Sequence, residues 1–366
     1  MGSNPAAPTS FLTLKSGISE NADSHFAGRC VFGLDIRAEF RIDGASRLTH
    51  RGLTVWLFAL AVVVAGTLVI GGLTRLTDSG LSITEWQPVA GVVPPLHAEA
   101  WEDAFAKYRG TTEYRQINRG MSLAEFKVIY WWEWAHRMAG RLAGLVFAVP
   151  FLFFWWRRAI PRESMPALLT LFALGAAQGA LGWYMVQSGL DGRVDVSVYR
   201  LTAHFGLALL IFVLALRQGF GFWHGRSGMT WVVPAVFAQS LLGAIVAGLD
   251  AGMIYNDWPL IDGALIPSGL TANLFEDRLS AQFAHRLGGY LLLLALIWHA
   301  WRTPHARRSA LWLAATAGGQ GVLGIATLMQ GVPLALGAAH QLGAVALLTL
   351  AVWHSAKVVD FRRASP

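Results

Sequence analysis

Eight apolar stretches, each close to the length that crosses a bilayer, constrain this chain more than any other feature. They lie at roughly 53–73, 127–155, 167–188, 200–219, 230–249, 278–301, 310–331 and 334–356. A helix needs about 20 apolar residues to span the hydrocarbon core. Hydrophobic residues make up 54% of the 366, and charged residues only 14%. A soluble domain carries about 25% charged residues. The composition therefore excludes a soluble enzyme, a disordered protein and a disulfide scaffold. One cysteine, Cys30, excludes an internal disulfide and a Cys-based metal cluster within one chain. The expected fold is all-α and membrane-integral, with eight transmembrane helices.

The net charge of +7 is mostly a topology signal. Arg37, Arg41, Arg47 and Arg51 precede the first span, and Arg157, Arg158 and Arg162 follow the second. Arg217 and Arg226 join the fourth and fifth, Arg302, Arg307 and Arg308 follow the sixth, and Lys357, Arg362 and Arg363 close the chain. All fall on one side, which the positive-inside rule makes cytoplasmic, together with both termini. The charge thus implies a lipid bilayer and no nucleic acid. Residues 1–46 lack the apolar stretch of a signal peptide and contain acidic residues such as Glu20 and Asp43, unlike a transit peptide. They are expected to be a cytoplasmic tail, partly disordered.

The chain also reads as a duplication. Glu133-Trp-Ala-His136-Arg137 matches Gln282-Phe-Ala-His285-Arg286, and Gln178-Gly-Ala-Leu-Gly182 matches Gln320-Gly-Val-Leu-Gly324. His204 matches His340, and Trp86-Gln-Pro88 matches Trp258-Pro259. Matched blocks in one order indicate an internal repeat. Each half holds an even number of spans, so both insert with the same orientation. The expectation is two pseudo-symmetric four-helix bundles: 47–222, with a long outer loop at 74–126, and 223–358, followed by a tail at 359–366. Within the outer loop, 99–109 and 113–127 read as amphipathic interfacial helices.

His136, His204, His285 and His340 each fall in the outer third of a span, two per bundle. An ionisable residue inside a membrane marks function by default. Zinc takes four ligands, or three and water; two imidazoles from opposite helices suit the axial positions of haem iron. Arg137 and Arg286 follow the ligands, placed for a haem propionate or for an interfacial role. Gln178 and Gln320 read as interhelical bonds or pocket lining. His299 and His354 each lie about 21 Å further along the helix from a candidate ligand. They read as interfacial histidines in an aromatic belt, or as a second haem pair.

The halves differ at one position. Glu133 shares a helix face with His136, and its counterpart is Gln282. A carboxyl group can move protons where an amide cannot. The alternative is an ion pair between Glu133 and an arginine.

Together these residues resemble the haem A synthase family over about 47–356. The carriers are Gly71-Gly-Leu-Thr-Arg75 with Ser79-Gly-Leu-Ser82, the two His-Arg blocks, and His204 and His340. The resemblance implies oxidation of the C8 methyl of haem O to a formyl group, giving haem A for haem-copper oxidases, by successive hydroxylations. It implies haem b in the second half, held by His285 and His340, and the substrate haem between His136 and His204. Glu133 would be the catalytic acidic residue, and Arg75 a pocket contact. The implied site is the bacterial inner membrane, with haems near the periplasmic side. Implied partners are a haem O synthase, a haem-copper oxidase assembly factor and a second copy of the chain. Residues 74–126 hold no cysteine, as in the cysteine-free proteobacterial and mitochondrial type. The competing readings are a bis-His cytochrome b-type electron carrier and, more distantly, a transporter.

Overall fold

The computed structural model describes residues 44–224 and 228–364. The tail expected over 1–46 lies outside the described residues up to position 43, as does Arg226. Among the described residues the chain forms ten α-helices and no β-sheet. They are α1 (Gly44–Leu76), α2 (Ala98–Arg109), α3 (Thr112–Gln116), α4 (Leu123–Trp156), α5 (Met165–Leu190), α6 (Val198–His224), α7 (Val232–Gly248), α8 (Arg278–Arg302), α9 (Arg307–Met329) and α10 (Leu334–Ala364).

Seven of these are long and apolar enough to cross a membrane. The fifth expected span, α7, is equally apolar but has 17 residues, about 26 Å of helix. It ends where Asp250 takes a left-handed conformation (φ 51°). Two other expectations are corrected. Residues 113–127 do not form one amphipathic helix. The chain breaks after α3 at Gly120 (φ +93°), and α4 then starts from a capping box in which Ser122 and Glu125 bond reciprocally. The tail expected at 359–366 continues α10 to Ala364, since no Gly or Pro interrupts it.

The helix contacts form two rings. In the first, α1 touches α4 and α6, and α5 touches α6 and α4; in the second, α7, α8, α9 and α10 touch in cyclic order. Helices α4 and α6 are therefore opposite members of one ring, and α8 and α10 of the other. The rings meet through α1, α6, α7 and α10. Leu53, Leu57, Leu60 and Val64 of α1 and Leu209, Phe212 and Leu216 of α6 are buried in one core. By contrast α4 and α5 turn Val149, Leu152, Phe153, Leu169 and Phe172 outward, as lipid-facing helices do.

A polar contact within the spans helps tie the rings together. Gln341 of α10 donates to the Leu68 carbonyl of α1 at 2.7 Å, and a Cβ on Gly72 would occupy the place of its amide. Gly72→Ala should expel that amide, with the loss of about 1 kcal/mol expected of such a bond. A thermal scan in detergent should show a midpoint a few degrees lower, largely restored by adding Gln341→Ala. An unchanged midpoint in Gly72→Ala would contradict this packing.

Candidate functional site

Each of the four span histidines lies against a glycine of the next helix in its ring. A Cβ added to Gly71 of α1 would come within 2.7 Å of His136 Cε1, and one on Gly182 of α5 within 2.8 Å of His204 Cε1. In the second ring, Gly243 of α7 stands 3.1 Å from His285 and Gly324 of α9 stands 2.7 Å from His340 by the same measure. Any larger residue would displace the imidazole. Because α4 and α6, and α8 and α10, are opposite members of their rings, each ring holds two imidazoles contributed from across its interior.

Glutamines fix these positions. Gln178 donates to the His204 carbonyl (3.0 Å), Gln239 to the His285 carbonyl (2.8 Å) and Gln320 to the His340 carbonyl (2.6 Å). Gln178 and Gln320 therefore do form interhelical bonds. Gln239, which also lies 3.0 Å from His285 Nδ1, escaped sequence reasoning because the first half has no glutamine at the corresponding place. His340 Nδ1 is buried without a hydrogen-bond partner. Opposed imidazoles in a pair offering no thiolate donor suit axial ligation of haem iron. The residues present fit that group.

Glu133 is 3% exposed and accepts four hydrogen bonds. Arg137 donates to Oε1 from Nε (3.0 Å) and Nη2 (2.6 Å). Ser82 Oγ (2.8 Å) and the Ile83 amide (2.7 Å) donate to Oε2. Arg137 also donates to the carbonyls of Ile83 and Glu85. The pair holds the segment after Ser82 onto α4. Gln282 and Arg286 do the same in the second ring with opposite polarity. The Gln282 amide donates to the Ala251 and Ile254 carbonyls, both at 2.7 Å. Arg286 donates to Gln282 Oε1 (2.6 Å) and to the carbonyls of Tyr255, Asp257 and Leu260. The Glu-to-Gln difference thus matches a loop presenting donors to one presenting carbonyl acceptors. Arg286 Nε has no partner and is buried. Arg75 pairs with Asp78 (2.8 Å) and Asp250 (2.7 Å), joining the end of α1 to the segment after α7.

His299 and His354 are buried between helices rather than facing outward: they are 8% and 0% exposed. Their Nε2 atoms lie 2.9 Å apart. Ser309 Oγ gives its proton to the Ala306 carbonyl, so its 2.8 Å contact with His354 Nδ1 is donated by the imidazole. His299 Nε2–H then donates to His354 Nε2. The sequence showed the pairing distance along the helices but not this burial.

These features define a multi-pass membrane protein that presents paired imidazoles inside two helix rings. Residues 54–352 match the COX15-CtaA family, described as cytochrome oxidase assembly protein. Relatives named heme A synthase are 49% identical over 322 residues in Parvibaculum lavamentivorans (83% of this chain, 94% of the relative) and 48% over 332 in Chelativorans sp. (85% and 92%). Another, in Maricaulis maris, is 46% identical over 337 residues (86% and 99%). The chain belongs to the COX15-CtaA family.

A lid of α2 and α3 covers the loop end of α4. Trp101, Phe105 and Tyr108 pack on Phe126, Ile129 and Tyr130. Beside it, Lys107, Tyr130, Arg137 and Arg141 line part of a cavity of about 340 Å³. Glu113 of α3, missed by sequence reasoning, is 5% exposed, and its Oε2 has no partner. Burial first, then the charges of Asp78, Asp195 and Glu133, push its carboxyl up to about 8. An acid raised in the folded state contributes stability that is complete below its ordinary pKa and lost as pH rises through the raised one. Limited proteolysis of the lid should therefore accelerate as pH rises from about 5 to 8 and level off above that, and Glu113→Gln should flatten that profile. An equally steep profile in Glu113→Gln would contradict the assignment.

Proposed function

We propose that the chain is a haem A synthase, an inner-membrane oxidoreductase that converts the C8 methyl of haem O to the formyl group of haem A. The observation that carries this reading is the asymmetry between two like rings. Both offer opposed imidazoles, but only the first places a carboxylate three residues from its histidine. Relatives named heme A synthase across most of the chain support it.

In this reading the two rings are pseudo-symmetric four-helix bundles, with α7 as the shortest span. His136 and His204 hold the substrate haem, and His285 and His340 hold a haem b. A bound haem supplies redox chemistry at iron. The methyl-to-formyl conversion would take four electrons from the methyl carbon in two hydroxylation stages, with loss of water, and requires an external oxidant to receive them. The protein's own residues orient and deprotonate. Gly71 and Gly182 let the first pair of imidazoles seat deeply, and Gln178 fixes the α6 side. Glu133, held by Arg137, Ser82 and Ile83, would take protons released at the substrate. Arg286 Nε is free to meet a haem propionate, and Arg137 and Gln320 border the pockets. Arg75 holds the two rings in register through Asp250. The loop face is periplasmic, and both termini are cytoplasmic. A haem O synthase, an oxidase assembly factor and a second copy of the chain are the partners this role implies.

Pigment extraction tests the role of Glu133. Membranes carrying Glu133→Ala should accumulate haem O or its hydroxylated form, with haem A reduced at least tenfold. Glu133→Gln should be similarly impaired, because an amide cannot take the proton and no longer matches the donors of Ser82 and Ile83. Haem A at the level of the unaltered protein in both variants would contradict the assignment.

A further inference from the structure

The two rings close differently. In the second, α8 and α9 pack along their length; in the first, α4 and α5 meet only sparsely. Two aromatic contacts bracket the gap. At the loop end Trp86 meets Trp183 of α5 (ring centroids 5.6 Å apart). The loop carrying Trp86 is tied to α4 by Arg141, which donates to the Gln87 and Pro88 carbonyls. At the other end Phe147 of α4 stacks on Phe172 of α5 at 6.1 Å. Between Phe172 and Trp183 run about 16 Å of α5 by the helical rise.

The residues along this gap are small. Gly140 and Gly144 follow His136 by one and two turns of α4. On α5, Gly175 and Gly179 lead to Gly182, which seats His204. Gly140, Gly144, Gly175 and Gly179 are all exposed, and a Cβ on any of them would meet nothing within 4 Å. The repeat differs at two of these four positions, while Gly289 and Gly321 match Gly140 and Gly179. The counterpart of Gly144 is Leu293, which lies 3.9 Å from a Cβ built on Gly318 of α9. The counterpart of Gly175 is Ala317, which is buried, as is Leu292, the counterpart of Ala143. In the first ring, Gln178 Oε1 is buried without a partner. The sparse contact and the open glycines thus lie on the helix that carries His136 and on the helix that carries Gln178.

We propose that the cleft between α4 and α5 is a lateral gate, through which a flat, largely apolar tetrapyrrole passes between the bilayer and the His136–His204 pair. This rests on the reading of the first ring as the substrate site. The second ring is sealed by Leu293 and Ala317, so its haem stays while the first ring exchanges its own. Trp86 and Trp183 close the cleft at the loop end, so the route opens to lipid rather than to water.

The test uses the full chain in lipid nanodiscs mixed with vesicles carrying haem O. Gly144→Leu with Gly175→Ala gives the first ring the residues of the second. Its rate of haem O loading, followed by absorbance, should fall at least tenfold while the second-ring haem spectrum is retained. The reverse variant, Leu293→Gly with Ala317→Gly, should lose its second-ring haem to excess apomyoglobin over a time in which the unaltered protein keeps it. Unchanged loading in the first variant overturns the gate, including the case where a second copy covers the cleft and only the oligomeric state changes. If the first variant loses its spectrum through misfolding, retention of haem in the reverse variant overturns the proposal and loss supports it. His136→Ala separates the two levels of the argument. It should change the spectrum of bound haem O, and an unaltered spectrum would contradict the substrate site itself, whatever the loading rates.

Discussion

The contact on which the structure depends is an imidazole seated against a glycine of the neighbouring helix, made four times. It sets the spacing of α1 with α4, α5 with α6, α7 with α8 and α9 with α10. Close approach through small residues is how membrane helices associate where no hydrophobic drive separates protein from lipid. Here the approach does a second task. It presses each histidine into its ring with the backbone beside it engaged, through Gln178, Gln239 and Gln320 in three cases. The helix packing and the candidate ligand geometry are therefore one feature, and a substitution at Gly71 or Gly324 would disturb both.

Around this shared plan the halves diverge in two ways. The residue three before the first-ring histidine is a carboxylate facing donors, and its counterpart is an amide facing carbonyls. Helices α4 and α5 meet sparsely and carry glycine at 144 and 175, where the more closely packed α8 and α9 carry Leu293 and Ala317. A resident group calls for a closed ring. On the proposed reading, a group that must arrive and leave calls for an open one. Both differences point the same way, although one lies at the loop end and the other within the span.

Much of this was legible in the sequence. Length and apolarity gave the spans, with α7 alone falling short. The repeat gave the pairing of His136 with His285 and His204 with His340, because a duplicated pattern survives even where loops change length. The less legible features were those made by contacts distant in sequence. Gln239 has no counterpart in the first half. Glu113 reads as one more charge in a polar loop until the lid folds over it. His299 and His354 sit among tryptophans and basic residues, the pattern of an interface, and their burial arises only when α8, α9 and α10 close on one another. The break at Gly120 was overlooked because the charges and aromatics on either side continue a helical pattern.

The division of labour between the rings is the central claim, and paired histidine variants test it most directly. Membranes carrying His136→Ala and His285→Ala would be compared by pigment extraction and reduced-minus-oxidised spectra of the purified proteins. The account predicts that His136→Ala keeps the haem b spectrum and makes no haem A, while His285→Ala loses the haem b spectrum. A haem b spectrum lost in His136→Ala and kept in His285→Ala would contradict it.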